Sequence, residues 1–277
     1  MYPRYSKPVH LSRIFLLALL VTLGGCSLLP EQVDKTKDWS PSQLYSAAKE
    51  SLNDKNYEQA IDYFEKLEAR YPFGKYAQQA QLETAYAYYK FDEPDSAIAA
   101  AQRFIKINPR HPNVDYAWYL MGLVNNTRGR SLIDKLLPQD VSERDLQTMR
   151  AAHDDFTELV KRFPNSKYAK DSAQRIIHLR NNMARYEIHV ADYYMRRGAY
   201  IAAANRATTV IEDYQRTPSV PDALVIMIRA YHKLHMDKLA DDSLRVLSLN
   251  YPSHPDLEIL QQGGDPTQRG FWSSWFR

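Results

Sequence analysis

A helix with one apolar face is the pattern to which the rest of the chain returns. In residues 56–74, NYEQAIDYFEKLEARYPFG, small and apolar side chains follow an i, i+1, i+4, i+7 spacing that places them on one face of a helix: Ala60, Ile61, Phe64 and Leu67. The charged residues Glu65, Lys66 and Glu68 then fall on the solvated side. Pro72 predicts the end of the helix, because proline lacks the backbone N–H that a helix interior requires.

The same pattern occurs five times along the chain. Alignment on Ala60 places an alanine at the equivalent position of four further segments: Ala97, Ala152, Ala203 and Ala240. Twelve positions later, four of the five segments have a proline: Pro72, Pro109, Pro164 and Pro252. Gln215 takes that place in the remaining segment, with Pro218 close behind. These spacings resemble the tetratricopeptide repeat, and they predict an all-α solenoid of five helical hairpins, about ten helices in total.

The distances between the five alanines are unequal, at 37, 55, 51 and 37 residues. The 55-residue interval is explained if the W-x-x-M-G sequence at 118–122 belongs to the first helix of repeat three, which leaves an insertion over residues 131–147. We expect this apolar insertion to fold back on the solenoid or to contact a partner. The 51-residue interval predicts one elongated helix from about 170 to 197. It separates N-terminal repeats, residues 40–130, from C-terminal repeats, residues 148–262.

The first 39 residues carry targeting and anchoring signals rather than repeats. Residues 1–25 combine a basic start, a short apolar core and two small residues, which is the pattern of a secretory signal peptide. Directly after it, the sequence Leu-Gly-Gly-Cys ending at Cys26 resembles the bacterial lipobox, whose cysteine is acylated and becomes the first residue of the mature protein. Several acyl chains give stable anchoring, and Ser27 implies transfer to the outer membrane by analogy with Gram-negative lipoproteins. We interpret residues 26–39 as a lipidated tether.

Composition and charge narrow the class of protein. Nine glycines in 277 residues are few for a βαβ enzyme, which uses glycine in phosphate loops and tight turns. The formal net charge of +3 falls to zero when the three basic residues of the leader are removed, so a nucleic-acid-binding surface is not indicated. The chain has a single cysteine, which excludes an internal disulfide.

The sequence contains none of the familiar catalytic signatures, such as G-x-S-x-G, H-E-x-x-H, a phosphate loop or a dinucleotide fingerprint. His232 and His235 lie three residues apart on a predicted helix, but further metal ligands are not evident nearby, so a structural or solvated pair is favoured. We therefore expect a binding module rather than an enzyme, with no metal and no cofactor other than the covalent lipid on Cys26.

Four strings are more specific than the generic repeat. They are RYPFGKYAQQAQLETAYAYYK (70–90), RFIKINPRHPNVDYAWYLMGL (103–123), RAAHDDFTELVKRFPNSKYAKDSAQR (150–175) and YEIHVADYYMRRGAYIAAANR (186–206). In these strings the chain resembles the BamD (ComL/YfiO) family, lipoprotein subunits of the outer-membrane β-barrel assembly machinery.

The resemblance implies a scaffold that is lipid-anchored in the outer membrane and faces the periplasm. Its C-terminal repeats would bind the periplasmic domain of BamA, and its N-terminal repeats would bind unfolded outer-membrane proteins or other Bam lipoproteins. A periplasmic tetratricopeptide lipoprotein that scaffolds cell-wall enzymes is the alternative. A lipid-anchored hydrolase would need a reactive constellation that the sequence does not show.

Two sets of residues are candidate contact sites under this resemblance. Rigid amphipathic side chains of the N-terminal repeats are expected to form a groove for aromatic-rich client segments: Tyr76, Tyr86, Tyr89, Lys90, Tyr116 and Tyr119. Residues of repeat four are expected to bind BamA, since arginine pairs with carboxylates in a bidentate manner: Arg196, Arg197, Tyr200, Asn205 and Arg206. Ordinary packing between repeats and a solvated charged surface are the respective competing interpretations. Residues 263–277, which end in an aromatic-basic sequence, are either a disordered end or a docking peptide.

Overall fold

The computed structural model describes residues 34–128 and 146–266. The chain divides into two compact units, Met1–Ser40 and Pro41–Arg277. In the first unit, residues 34–40 form hydrogen-bonded turns, in which the Asp34 carboxylate accepts hydrogen bonds from the backbone N–H and the hydroxyl of Thr36 at 2.9 and 2.7 Å. The predicted signal peptide, Cys26 and most of the tether lie outside the described residues.

The second unit consists of helices and their connections over its described residues, 41–128 and 146–266. Eleven helices follow one another: α1 (Pro41–Asn53), α2 (Tyr57–Arg70), α3 (Lys75–Lys90), α4 (Pro94–Ile107), α5 (Val114–Thr127), α6 (Leu146–Arg162), α7 (Ala169–Arg196), α8 (Tyr200–Asp213), α9 (Val220–Lys233), α10 (Asp237–Asn250) and α11 (Leu257–Gln261). The prediction of an all-α fold is confirmed.

The first ten helices pair into the five predicted hairpins, and each helix packs chiefly against its neighbours in the chain. The five alanines that define the repeat are all fully buried, each in the second helix of its hairpin: Ala60, Ala97, Ala152, Ala203 and Ala240. A small side chain at this position lets two helices approach closely, which is why the sequence repeats it. The helix α11 is a short addition after the fifth hairpin.

The helix α2 shows how local sequence sets the ends of these elements. At its start, the Asn56 side chain accepts a hydrogen bond from the backbone N–H of Gln59. It ends at Arg70, and the backbone N–H of Tyr71 caps it by donating to the carbonyl of Leu67 at 2.8 Å. Since the residue before a proline avoids the helical conformation, Pro72 ends the helix as predicted.

Repeat three is assembled as its sequence predicts, with α5 as its first helix and α6 as its second. Gly122 of α5 is buried against Phe156 of α6, and a Cβ atom at position 122 would lie 2.5 Å from Phe156 Cε1. Only glycine allows this approach without a shift of the ring. The helix α5 ends at Thr127 and α6 begins at Leu146, so the predicted insertion, residues 131–147, lies outside the described residues except for its last two, which open α6.

The elongated helix predicted over 170–197 is α7, whose 28 residues are twice the length of α8. Its buried side chains, including Leu179, Met183 and Ile188, join the core cluster that runs from α6 to α9. One helix therefore contributes to the packing of repeats three, four and five. This continuity explains the 51-residue interval without an additional element.

The chain after α10 closes the described part of the second unit. Leu257 and Leu260 of α11 pack with Leu247 of α10. Further on, Asp265 pairs with the buried Arg229 of α9, with Oδ1 and Nε 3.0 Å apart. The first residues of the predicted aromatic-basic tail are thus held against α9.

Candidate functional site

A cavity of about 590 Å³ opens along the first helices of successive repeats. Its walls come from α1, from the turn after it and the first residue of α2, from α3, from the start of α5 and from the two residues before α7. Four tyrosines and four lysines are among its lining residues, which are Lys49, Leu52, Asn53, Lys55, Tyr57, Leu82, Glu83, Tyr86, Lys90, Asn113, Tyr116, Lys167 and Tyr168. We call this cavity the tyrosine–lysine groove.

The α3 wall of the groove follows from helical spacing. Leu82, Tyr86 and Lys90 are four residues apart and therefore lie along one face of the helix. The ammonium group of Lys90 lies 6.0 Å from the centroid of the Tyr86 ring and 5.9 Å from that of Tyr89. These distances are at the limit of cation–π attraction, so Lys90 lies beside the two rings at the end of the wall and is attracted to them only weakly.

The opposite wall is a cluster of tyrosines from α5 and from the loop before α7. Tyr168 lies 5.5 Å from Tyr116 and stacks on Tyr119 with ring centroids 4.6 Å apart and an interplanar angle of 17°. The hydroxyl of Tyr119 donates to Asp171 Oδ2 at 2.8 Å, which fixes its ring. Burial raises the pKa of Tyr116 well above its ordinary value, so its hydroxyl stays neutral. The aromatic wall is therefore preorganised by internal contacts.

The groove carries positive charge. Lys49 pairs with Glu83, with Nζ and Oε1 2.8 Å apart, and the remaining lysines of the lining have no acidic neighbour within it. Four lysines against one glutamate give the lining a net charge of +3. Lys167 lies over Tyr168 at 5.0 Å from the ring centroid. Aromatic surface beside lysines suits a ligand that carries aromatic side chains and carboxylates.

Of the six groove residues predicted from the sequence, three line the cavity: Tyr86, Lys90 and Tyr116. Tyr89 and Tyr119 are not lining residues but contact them, since Tyr89 lies beside Lys90 and Tyr119 stacks on Tyr168. Tyr76 is not a lining residue and packs instead against Tyr45, with ring centroids 5.5 Å apart.

Sequence reasoning missed much of the lining, including Lys49, Tyr57, Lys167 and Tyr168. Lys49 lies on α1 and Tyr57 is the first residue of α2, whereas Lys167 and Tyr168 precede α7. Spacing within one helix gives no information about which residues of different repeats face each other. A usable signal was present in the string FPNSKYAK, where a lysine and a tyrosine follow a repeat-ending proline.

The residues predicted to bind BamA are less uniform than their sequence suggests. Arg206 donates from Nη1 to Glu187 Oε2 at 3.1 Å, and the Glu187 side chain is only 1% exposed. Arg206 therefore neutralises a buried carboxylate of α7. Tyr200 packs against the core cluster between α6 and α9. These two residues have structural roles in repeat four.

The other residues of this set lie on the surface. Arg196 pairs with Asp192, Arg197 donates to the hydroxyl of Tyr193 at 3.2 Å, and Asn205 is exposed. Ile201, which sequence reasoning did not select, lies on the same helix as Asn205 and is 61% exposed. The exposed part of the predicted set is thus an arginine-bearing surface with an apolar residue beside it.

The described residues contain neither a cluster of metal-ligating side chains nor a helix suited to cross a membrane. Within residues 34–128 and 146–266, histidine, cysteine, aspartate and glutamate form no group of three or more that could hold a metal ion. In the same ranges, none of the helices combines the length and the apolar character that a membrane crossing requires.

The fold and the groove define a class of protein: a helical-repeat protein with a groove lined by tyrosines and lysines. Residues 37–247 match the family described as "YfiO: Outer membrane lipoprotein", and the chain belongs to this family. It is 48% identical over 240 residues to the outer membrane protein assembly factor BamD of Neisseria gonorrhoeae, covering 87% of this chain and 89% of the relative.

A second relative, the outer membrane protein assembly factor BamD of Neisseria meningitidis serogroup A, is 46% identical over 262 residues, covering 93% of this chain and 97% of the relative. Among solved structures, a thermophilic TPR protein of Thermus thermophilus is 12% identical with a TM-score of 0.35, covering 81% of this chain and 98% of that one. Relatives named as assembly factors, together with the helical-repeat fold, identify the chain as a non-enzymatic scaffold.

Proposed function

We propose that the protein is a scaffold subunit of the outer-membrane β-barrel assembly machinery, anchored by lipid on Cys26 and facing the periplasm. The family's description as an outer membrane lipoprotein and the names of the relatives support this role. The lipobox supports the anchor. The N-terminal repeats bind unfolded outer-membrane proteins, in the tyrosine–lysine groove, or other Bam lipoproteins, and the C-terminal repeats bind BamA.

The observation that carries the client-binding role is the composition of the groove. Outer-membrane barrel strands are rich in aromatic side chains at the membrane interfaces, and such rings can stack on Tyr86 and Tyr168. Lysines beside these rings attract carboxylates of the client and do so over long distance at low ionic strength. Because the walls are held by internal contacts, little conformational entropy is lost when a segment binds.

The client-binding role can be tested with a matched pair of double variants. Tyr86→Ala with Lys90→Ala removes a lysine–tyrosine pair from the groove, whereas Tyr76→Ala with Lys75→Ala removes a pair of the same kind outside it, where Lys75 lies 5.1 Å from the Tyr76 ring centroid. The groove variant should bind a fluorescent C-terminal strand of a barrel protein at least about tenfold more weakly, which corresponds to ~1.4 kcal/mol.

The control variant should stay within about twofold of the parent chain. Equal losses in the two variants, or no loss in either, would contradict client binding in the groove. Circular dichroism of both variants establishes that the helices remain folded.

The BamA-binding role rests on the surface around Ile201 and Arg197. Ile201→Asp should reduce recovery of BamA when the lipoprotein is purified from detergent-solubilised membranes, because a charge on a buried interface position is costly. Ile177→Asp is the control, since Ile177 is 62% exposed and Ile201 is 61% exposed. Mass spectrometry of the same eluates also tests the alternative, because co-purification of cell-wall enzymes instead of BamA would support a cell-wall scaffold.

A further inference from the structure

The outer face of α10 carries three exposed large hydrophobic residues. Leu239, Val246 and Leu249 are 45%, 42% and 75% exposed. The buried face of the same helix, which includes Ala240 and Leu247, packs against the rest of the fifth hairpin and α11. We call the three exposed residues the α10 stripe.

No other second helix of a hairpin has such a stripe in its sequence. At the position of Leu239 the other four repeats have Gln59, Ser96, Ala151 and Ala202. At the position of Val246 they have Lys66, Arg103, Glu158 and Thr209. At the position of Leu249 they have Ala69, Lys106, Lys161 and Glu212. The repeat itself therefore does not require large apolar residues at these three positions.

The place of α10 in the array makes the stripe unusual. In repeat proteins, the terminal repeat normally has a polar outer face, because no neighbour covers it. The helix α10 is the last full-length helix that the structure describes, and α11 has only five residues. The α10 stripe thus reverses the pattern expected at the end of a solenoid, which indicates that another segment covers it.

A segment of suitable chemistry follows directly in the chain. Residues 267–277, TQRGFWSSWFR, contain four large aromatic residues at i, i+1, i+4 and i+5: Phe271, Trp272, Trp275 and Phe276. The segment also contains Arg269 and Arg277 and no acidic residue, whereas α10 carries three aspartates and two basic residues. Apolar character and charge are therefore both complementary between the segment and the helix.

The described residues directly before this segment are held on α9. The Arg229–Asp265 ion pair holds the chain against α9, the partner of α10 in the fifth hairpin, and Pro266 is buried. Eleven residues can reach up to about 36 Å when extended. The 14 residues of α10 span about 21 Å. The segment is long enough to reach the stripe and to run along it.

We propose that residues 267–277 dock on the α10 stripe of their own chain and cap the C-terminal end of the solenoid. The aromatic side chains cover Leu239, Val246 and Leu249, and the two arginines bring positive charge to a helix whose net charge is −1. This intramolecular cap goes beyond the scaffold role and does not depend on the identity of the client or of BamA.

Site-specific photocrosslinking in the full lipoprotein in detergent tests the cap. A benzoylphenylalanine residue at position 239 should form an intrachain crosslink to the tryptic peptide 270–277, which mass spectrometry identifies. The same residue at position 59, the equivalent site on α2, should not form it. Absence of the intrachain crosslink at position 239, or crosslinks only to a second copy, to detergent or to another protein, would overturn the proposal.

Hydrogen exchange provides a second measurement. Serine at positions 271, 272, 275 and 276 (F271S, W272S, W275S, F276S) leaves every described side chain in place but removes the apolar cover. Amide exchange in α10 should then become at least about tenfold faster, while exchange in α8 stays unchanged. Unchanged exchange in α10 would also overturn the proposal.

Discussion

The Glu187–Arg206 pair permits a quantitative test of how repeat four is held together. Glu187 on α7 is 1% exposed, whereas the side chain of its partner Arg206 on α8 is 43% exposed. Arg206→Ala leaves a buried carboxylate without its cation, which typically costs about 3–5 kcal/mol. Because water can approach from the exposed arginine side, we expect the lower end of this range, about 3 kcal/mol.

Two companion variants separate the charge from the packing. Glu187→Gln keeps the shape of the side chain and removes the charge, so it should cost about 1 kcal/mol, as for one neutral hydrogen bond. In the Glu187→Gln background, Arg206→Ala should cost less than about 1 kcal/mol, since no buried charge is left unpaired. The coupling energy between the two sites should therefore be about 2 kcal/mol.

Urea-induced unfolding followed by circular dichroism measures these differences. With a slope of about 3 kcal/mol per molar urea, Arg206→Ala alone should lower the midpoint by about 1 M. An equal cost of Arg206→Ala in both backgrounds would refute the buried-charge explanation.

Arg206 is also one of the residues that the sequence predicts to bind BamA. Arg206→Glu would place a second carboxylate beside Glu187, so loss of BamA could result from damage to repeat four. The Glu187→Gln, Arg206→Ala double variant should keep the fold, because it leaves no buried charge unpaired. If BamA recovery falls in this background, Arg206 contacts the partner directly; if it does not, Arg206 acts only within repeat four.

Three further perturbations test the packing, the electrostatics and the groove. Gly122→Ala places a methyl group 2.5 Å from the buried ring of Phe156 and should lower the free energy of unfolding by about 1–3 kcal/mol in urea denaturation, whereas the same substitution in a Phe156→Leu background, where the ring is absent, should cost less. Burial raises the pKa of Asp155 from its ordinary 3.8 to about 6, against the opposing hydrogen bond from Asn125, so the folded state binds this proton more tightly than the unfolded state does. The contribution of this group to the free energy of unfolding should therefore be highest below pH 3.8 and fall by about 3 kcal/mol as the pH rises through 6, and Asp155→Asn should abolish this decline in a pH series. Tyr168→Ala removes the ring that stacks on Tyr119 and should weaken client-peptide binding in fluorescence anisotropy, whereas Tyr193→Ala, at an exposed tyrosine outside the groove, should not.

The fold can be predicted from the sequence because the residues that define each hairpin lie close together in the chain. In four of the five repeats, the alanine that allows close helix contact and the proline that ends the second helix are twelve residues apart. Both therefore lie in that helix or in the loop directly after it. The unequal repeat spacing also has a local cause at one place, since one uninterrupted helix, α7, accounts for the long interval before Ala203. The W-x-x-M-G sequence places Gly122 in the first helix of repeat three. The sequence does not show which side chain requires a glycine there, because Phe156 lies on α6, beyond the insertion.

The groove was only half predictable, because its residues come from different repeats. Tyr86 and Lys90 share a helix face and were found together, whereas Tyr57 and Tyr168 meet the groove through tertiary packing alone. Arg206 has a structural role that the sequence does not reveal. A cluster of arginines resembles a binding surface, but the buried carboxylate that Arg206 neutralises lies 19 residues earlier, in the middle of α7, where its burial could not be read from sequence.

The loops between hairpins explain why the family is easier to recognise from the sequence than the residues that line the groove. After α4, α6, α8 and α10, the connection has six residues, and its fourth residue donates its backbone N–H to the carbonyl of the first: His111, Ser166, Thr217 and His254. After α2 the connection has only four residues, closes at Gly74 with φ of +99°, and leaves Phe73 90% exposed. A backbone turn constrains residue types over a short stretch, so RYPFG and NPRHPN are distinctive strings. The groove, in contrast, depends on side chains from several repeats that meet only in the folded protein. A single tyrosine or lysine in the sequence therefore does not indicate that it belongs to the groove.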